Sequence, residues 1–451
     1  RQSSNSCAFT DTATTQPRAA MTPLEFLKDY AYDERLVTGE YYSAEPVEVE
    51  KGDTVAVVLM NLGGPNTTDD VQPFLYNLFM DPAIIDIPVK GRARHWLCKA
   101  ISSLRARSVA EDYELIGGGS PINRLTDEQS ESLERTLNAN YGADAGVTFR
   151  TYIAMRYWHP FTEEAAAQME ADEVDKVVLL PLYPQYSKTT TGSSLIYWWM
   201  LEEKGEIPSW PTAYVFEYAA NPKYIKAISE RIDEGLQRFP KHIREDVHFV
   251  FSAHGTPLNE MVDRRDPYCC LVHSTVERVM AQRGYDMPYH VAFQSKVGPA
   301  EWLTPGTPDK LEELAHQGHT ATLVIPVAFV TEHVETSYEL DIEVREEAEE
   351  AGIEHYEVMP ALNCHPLFID ALAEATVAQV RLPAQAPPTS LGGDGVAGEY
   401  PLRPLCEMPR YSAKHRYTRC HQCELITEAR RWTTNGEDEV PTVSANPPPE
   451  E

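Results

Sequence analysis

The sequence predicts two similar Rossmann-like α/β domains, each a doubly wound parallel sheet, set around a central cleft and followed by a C-terminal extension. Three observations predict it. Apolar runs of strand length recur along the chain, helical patterns fill the spaces between them, and the runs fall into two sets of four. "TVAVVLMNLG", "VTFRTYIAMRYW", "KVVLLPLYPQ" and "AYVFEY" occupy the first half, and "VHFVFSAHG", "YHVAFQS", "TATLVIPVAFV" and "HYEVMPAL" the second. Near-continuous apolar runs are the pattern of strands covered on both faces. "TDEQSESLERTLNAN", "NPKYIKAISERIDEGLQRF" and "CLVHSTVERVMAQRG" read as the covering helices. Strand alternating with helix builds a parallel sheet, and two sets of four build two domains.

In chain order, residues 1–50 are an N-terminal arm, 51–215 the first domain, 216–382 the second, and 383–451 a linker, tail and end. The arm begins "RQSSNSCAFTDTATTQPRAAM", Ser/Thr-rich and without an apolar core, which is no secretory signal. It reads either as a transit-like remnant or as a disordered arm, with Met21 an alternative start. Breakers in "EKGEIPSWP" and "FPKHIRED" put the join near 205–245. Beyond Leu382, "PAQAPPTSLGGDGVAGEYP" reads as a linker and "NGEDEVPTVSANPPPEE" as a disordered end.

Composition sets bounds. The chain has 451 residues, 42% of them hydrophobic, and a net charge of −30, which argues against non-specific nucleic-acid binding. Its apolar runs are far too short to span a bilayer. Eight cysteines at this length are no disulfide scaffold and point to a reducing, intracellular compartment.

Ligands of open α/β sheets bind beyond the carboxyl ends of strands. There the chain carries "LGGP" after "VVLMN", "RYWHP" after "YIAM", and "PQYSKTTTG" after "VVLLPLY". His254-Gly255-Thr256-Pro257 follows "HFVFSA", and "TEHVETSYELDIE" follows "LVIPVAFV". Glu335, Glu339 and Glu343 recur every four residues and stack along one face of a helix, where like charges repel by about 0.2–0.5 kcal/mol per pair. Taken singly these signals are weak. A strand-end histidine is most often structural, and a Glu-rich face, such as the distal "REEAEE", is most often solvated surface. "IGGGSPI" lacks dinucleotide-fingerprint spacing and no phosphate loop is present, so nucleotide binding is disfavoured. "FSAHG" is not G-x-S-x-G.

Together and in order, "NLGGP", "IGGGSPI", "MRYWHPFTEEA", "LYPQYSKTTTGSSL", "FSAHGTP", "FQSKVGPAEWLTP" and "EHVETSYELDIE" resemble the ferrochelatases over residues 54 to 380. The resemblance implies insertion of Fe(II) into protoporphyrin IX, the terminal step of haem synthesis. It implies His254 as proton acceptor and iron contact, with Glu335 facing it. Glu335, Glu339 and Glu343 then form a conduit for protons or metal. Imidazole suits the proton step near neutral pH, and oxygen ligands with one nitrogen hold Fe(II) loosely enough to release it. Arg156 and Tyr157 match residues near the metal side, with Ser187, His333 and Trp302 in the substrate pocket. Phe79, Met80, Ile84, Ile85 and Ile87 match an apolar lip, though the first half of that stretch also reads as an ordinary core helix. Gly117–Ser120 let backbone approach the ring. A peripheral membrane contact and a homodimer are further implications. The location implied is cytoplasmic, with the mitochondrial inner membrane or a plastid as alternatives.

Cys406, Cys420 and Cys423 lie in the tail, the last two as C-x-x-C, a metal, cluster or redox pattern. The tail resembles in part the extension that holds a [2Fe–2S] cluster in some ferrochelatases. The body position that supplies a cysteine there is Lys188 here, which leaves Cys364, Cys269 or Cys270 as candidate fourth ligand. Solvent-exposed thiols in a flexible arm are the competing reading. Two rival functions remain: a coproporphyrin or other tetrapyrrole chelatase, and a non-catalytic tetrapyrrole-binding or iron-sensing protein.

Overall fold

The computed structural model describes residues 20–30, 46–85, 89–262 and 266–383. The predicted strands are all present. Thr54–Asn61 (β2), Thr148–Met155 (β3), Lys176–Pro181 (β4) and Thr212–Tyr214 (β5) form one sheet in the order β3-β2-β4-β5. His248–His254 (β6), Tyr289–Gln294 (β7), Ala321–Pro326 (β8) and His355–Val358 (β9) form a second in the order β7-β6-β8-β9. Every pairing in both is parallel. Strands stop short of their apolar runs: "KVVLLPLYPQ" pairs only through Pro181, and its remainder turns toward the facing sheet.

In each sheet the chain steps to one side of its first strand and then to the other, so the carboxyl ends of β2 and β6 are topological switch points. Asn61 ends the first and His254 the second. One apolar cluster holds Val57 and Leu59 of β2 together with Phe249, Phe251 and Leu323 of the second sheet, so the lobes share a core. The helix Pro366–Val377 packs on Pro222–Arg238 and on Ile122–Leu137 of the first lobe. Beyond it Val380–Arg381 (β10) pairs in parallel with Val47–Glu48 (β1).

Two glycine loops meet beside β2. Gly63 has φ +79°, and a side chain there would press on Met155. A Cβ on Gly119 would stand 2.2 Å from the Asn66 carbonyl, which only glycine avoids. The carboxylate row corrects the sequence reading in one respect. Glu335–Glu343 is a π-helix, not an α-helix, and passes into an α-helix only at Val344. Its i→i+5 bonding is found frequently at functional sites.

Candidate active site

His254 closes β6, and its Nδ1 lies 2.5 Å from the carbonyl of Gly255. A carbonyl only accepts, so Nδ1 carries the hydrogen and Nε2 presents a lone pair. His333 repeats this arrangement, with Nδ1 donating to the Thr331 carbonyl at 3.1 Å. Both Nε2 atoms face one carboxylate: His254 lies 4.0 Å from Glu335 Oε1, and His333 lies 3.5 Å from Glu335 Oε2. Burial pushes the Glu335 carboxyl up, but the positive charge that His254 and His333 carry once protonated outweighs it and brings its pKa to about 2. Two proton-accepting nitrogens thus converge on an ionised carboxylate, an arrangement that receives a proton or a metal cation.

The rest of the row leads outward. Glu339 is half-buried, and its two oxygens lie 2.8 and 2.7 Å from Ser295 Oγ. Burial raises its pKa, the Glu335 charge adds to the rise, and the Ser295 hydroxyl opposes both. Glu343 is exposed. Gln294 fixes the start of the π-helix by donating to the Glu335 carbonyl at 3.2 Å.

His254, His333 and Glu335 line a cavity of about 1000 Å³ between the lobes, part of it open to solvent. Leu62, Leu78, Ile84 and Ile122 give it an apolar side, and Ser187, Thr189 and Thr190 a hydroxyl-bearing one. Few polar groups stand in an apolar lining, which is the make-up of a ligand pocket.

Other expected site residues take other places. Arg156 and Tyr157 are buried and do not line this cavity. Both bond Asp81 Oδ2, at 2.9 and 2.7 Å, and the guanidinium is stacked over Phe26 and Tyr197 at 4.5 and 4.3 Å. Their place is behind the lip, which they brace through Asp81. Met80 is fully buried and lines a smaller pocket with Arg156, while Phe79 is half-buried beside Val71 and Tyr113. Phe79 and Met80 are therefore core, while Leu78 of the same helix faces the cavity. Ile84 reaches the cavity, Ile85 is half-buried outside its lining, and Ile87 lies outside the described residues. Trp302 packs behind His254 at 6.4 Å between ring centroids, close over Gly255.

Sequence reasoning missed Ser295 and Arg94. Ser295 follows β7 directly, so the strand-end rule applied to that strand would have found it. Arg94, inside a helix, gives no such signal. Its guanidinium donates to the carbonyls of Phe79, Asp81 and Ile85 at 2.9, 3.1 and 2.7 Å and so shapes the lip.

The residues for a [2Fe–2S] cluster fit poorly where they are described. Lys188 is fully buried, its ammonium 2.8 Å from Glu260. Burial raises the Cys364 pKa, which favours the thiol over the thiolate a cluster needs. Among the described residues no group of three or more His, Cys, Asp or Glu is arranged to hold a metal ion. Cys406, Cys420 and Cys423 lie outside the described residues.

Fold and site together define a class: a two-lobed chelatase that exchanges protons on a bound ligand for a metal ion. The ferrochelatase family model matches residues 54–380. The ferrochelatase of Gloeothece citriformis is 45% identical over 336 residues, covering 72% of this chain and 82% of that one. That of Synechococcus elongatus is 46% identical over 325 residues, covering 71% and 81%. That of Gloeobacter violaceus is 44% identical over 334 residues, covering 72% and 97%. Among solved structures, SirB from Bacillus subtilis with Fe3+ aligns at 11% identity and a TM-score of 0.42, over 72% of this chain and 95% of that one.

The chain belongs to the ferrochelatase family. Its activity is the insertion of iron into a porphyrin in haem synthesis.

Proposed function

We propose that the porphyrin is protoporphyrin IX and that His254 takes its pyrrole protons. One Fe(II) enters as two protons leave, so charge is conserved. The ionised Glu335 carboxylate stabilises the imidazolium that forms on His254, and a proton on either Nε2 finds an acceptor within one small step. Glu339 and Glu343 carry the protons onward to solvent, and the same row serves an incoming Fe(II) as substrate. The observation that carries this reading is the convergence of two imidazole Nε2 atoms on Glu335 inside an apolar cavity. A general acid–base group contributes about 10²–10⁴-fold. Glu335→Gln should lose turnover on that scale, with its melting temperature within a few degrees of the parent. Near-normal turnover by the variant refutes the role. Protoporphyrin and coproporphyrin assayed side by side decide the substrate, and protoporphyrin is expected to win.

The helix Gly91–Leu115 supports a second component, peripheral docking on an anionic membrane. Trp96 and Leu104 are 64% and 82% exposed, a cost to a soluble surface unless something covers them. Lys90, Arg92, Lys99, Arg105 and Arg107 accompany them with no carboxylate before Glu111. The helix packs on Val71–Met80, next to the cavity mouth at Leu78 and Ile84. Among the described residues Cys98, Cys269, Cys270 and Cys364 form no disulfide, which suits a reducing compartment, and the cytoplasmic face of such a membrane meets both conditions. No helix among the described residues is long and apolar enough to cross one.

The reaction needs no resident cofactor. Acid-labile sulfide measured on the purified full chain should be far below one cluster per chain, and a stoichiometric amount would give the tail cysteines a cluster after all.

A further inference from the structure

Behind the hydroxyl-bearing wall of the cavity lies a group of charges that the proton-transfer machinery does not use. Asp266 is 1% exposed. Its Oδ2 accepts from the Ser187 hydroxyl and from the Lys188 backbone N–H, both at 2.8 Å. Its Oδ1 accepts from the backbone N–H of Tyr268 at 3.0 Å. Ser187 and Lys188 come from the first lobe, in the loop after β4, and Asp266 and Tyr268 come from the second. Beside them the fully buried Lys188 ammonium meets Glu260, again across the lobes.

Burying a carboxylate is costly, and burial pushes the Asp266 pKa up to about 6 against its three hydrogen bonds. Two of its three partners belong to the cavity. Ser187 and Tyr268 line it. Ser187 also caps the π-helical turn Lys188–Gly192, its Oγ accepting from the Thr189 N–H at 3.2 Å, and Thr189 and Thr190 line the cavity too. With its hydrogen committed to Asp266, the Ser187 oxygen is oriented to receive Thr189. One carboxylate thereby sets the hydroxyl turn of one lobe against the Tyr268 wall of the other.

We propose that Asp266 is a positioning residue for porphyrin binding, acting through Ser187 to hold the Ser187–Thr190 wall in register with Tyr268. It touches no substrate. The inference rests on the porphyrin reading of the cavity. Its consequence is that loss of Asp266 loosens the binding wall while leaving the His254–Glu335 chemistry intact.

The test uses the full chain. Parent turnover with Fe(II) and protoporphyrin is measured first, and its failure would sink the functional reading itself. With the parent active, Asp266→Ala should raise KM for porphyrin about tenfold to a hundredfold with kcat within twofold, since a hydrogen bond to a charged group is of that strength. Iron-free porphyrin titration, followed by quenching of porphyrin fluorescence, should weaken in parallel. Ser187→Ala should reproduce part of the effect, and the double variant should bind no worse than Asp266→Ala alone. Asp266→Asn keeps the acceptor for Ser187 and Lys188 but sets an amide against the Tyr268 N–H, so it should fall between parent and alanine. If the alanine variant does not fold, Asp266→Asn replaces it in the cycle with Ser187→Ala. A lowered melting temperature with unchanged KM, or effects of the two sites that simply add, overturns the proposal.

Discussion

Glu339 is the residue at which the pH of the surroundings acts most directly on the proposed conduit. Glu335 is held at about 2 by its two imidazoles and stays ionised across the working range. Glu339 is not held down in this way: burial and the Glu335 charge raise it, and the Ser295 hydroxyl, His254 and the Gln294 amide restrain the rise without reversing it. Ser295 adopts φ 64°, a left-handed conformation uncommon outside glycine, and the position sets its hydroxyl on both carboxylate oxygens. Ser295→Ala removes the largest of the influences that lower the Glu339 pKa and leaves the burial and the Glu335 charge that raise it. The acidic limb of the turnover–pH profile should therefore move to higher pH, with turnover at pH 8 little changed. An acidic limb that stays in place would mean that Glu339 does not titrate in the cycle. His254 and Glu335 were legible in sequence because one ends a buried strand and the other opens the segment that follows one. The Ser295 contact was not legible, since it depends on a strand end and a π-helix meeting across 44 residues of chain.

At the scale of elements, the strands were legible because double burial demands long apolar runs, and nothing else in a chain of this kind produces eight of them. The carboxylate row was legible as a row. Its π-helical backbone was not, because nothing in the composition of the segment separates i→i+5 from i→i+4 bonding. The strands also carry a feature at their other ends. His248 of β6 and His290 of β7 approach to 3.2 Å between Nδ1 and Nε2, and His319 lies over His248 at 3.9 Å between centroids. Burial, helped by the Lys310 charge, pushes His290 down to about 4. The unfolded chain binds this proton near the ordinary histidine pKa of about 6.5. Between those values the unfolded state holds more protons, so stability is fully present above pH 6.5 and is lost as pH falls toward 4. His290→Gln should thus lose less stability than the parent between pH 7 and pH 5, measured by denaturant midpoint at each pH. Turnover at neutral pH should not change, since His290 pairs with Val250 near the start of β6 and His254 is at its end. An unchanged pH dependence of the midpoint would show that His290 is already free to protonate in the folded chain.

For the molecule as a whole, the charge distribution sets the orientation in which it can approach a surface. A chain of net charge −30 is repelled by anionic lipid, and approach is favourable only along a face where cations dominate. The helix Gly91–Leu115 provides that face. Its buried side carries Arg94, Cys98 and Ser102, which fixes the opposite side outward. Leu97 and Leu104 lie seven residues apart, two turns along one outer line, and Trp96 adjoins them with Lys99 5.6 Å above its ring. Cations beside exposed apolar groups are the composition of an interfacial helix, each basic residue near the surface contributing about 1 kcal/mol. Replacing Lys99, Arg105 and Arg107 together by Glu reverses three charges while leaving the buried side untouched. Co-sedimentation with vesicles containing phosphatidylserine should show the parent bound at low salt and released at high salt, and the triple variant unbound at either. Trp96→Ala should weaken binding at both salt levels, because its share is apolar burial rather than attraction between charges. Turnover on detergent-dispersed porphyrin should survive in both variants, which separates docking from catalysis. If the parent ignores such vesicles and light scattering finds it paired in solution, the same face is covered by a second copy of the chain, and the membrane reading gives way to that one.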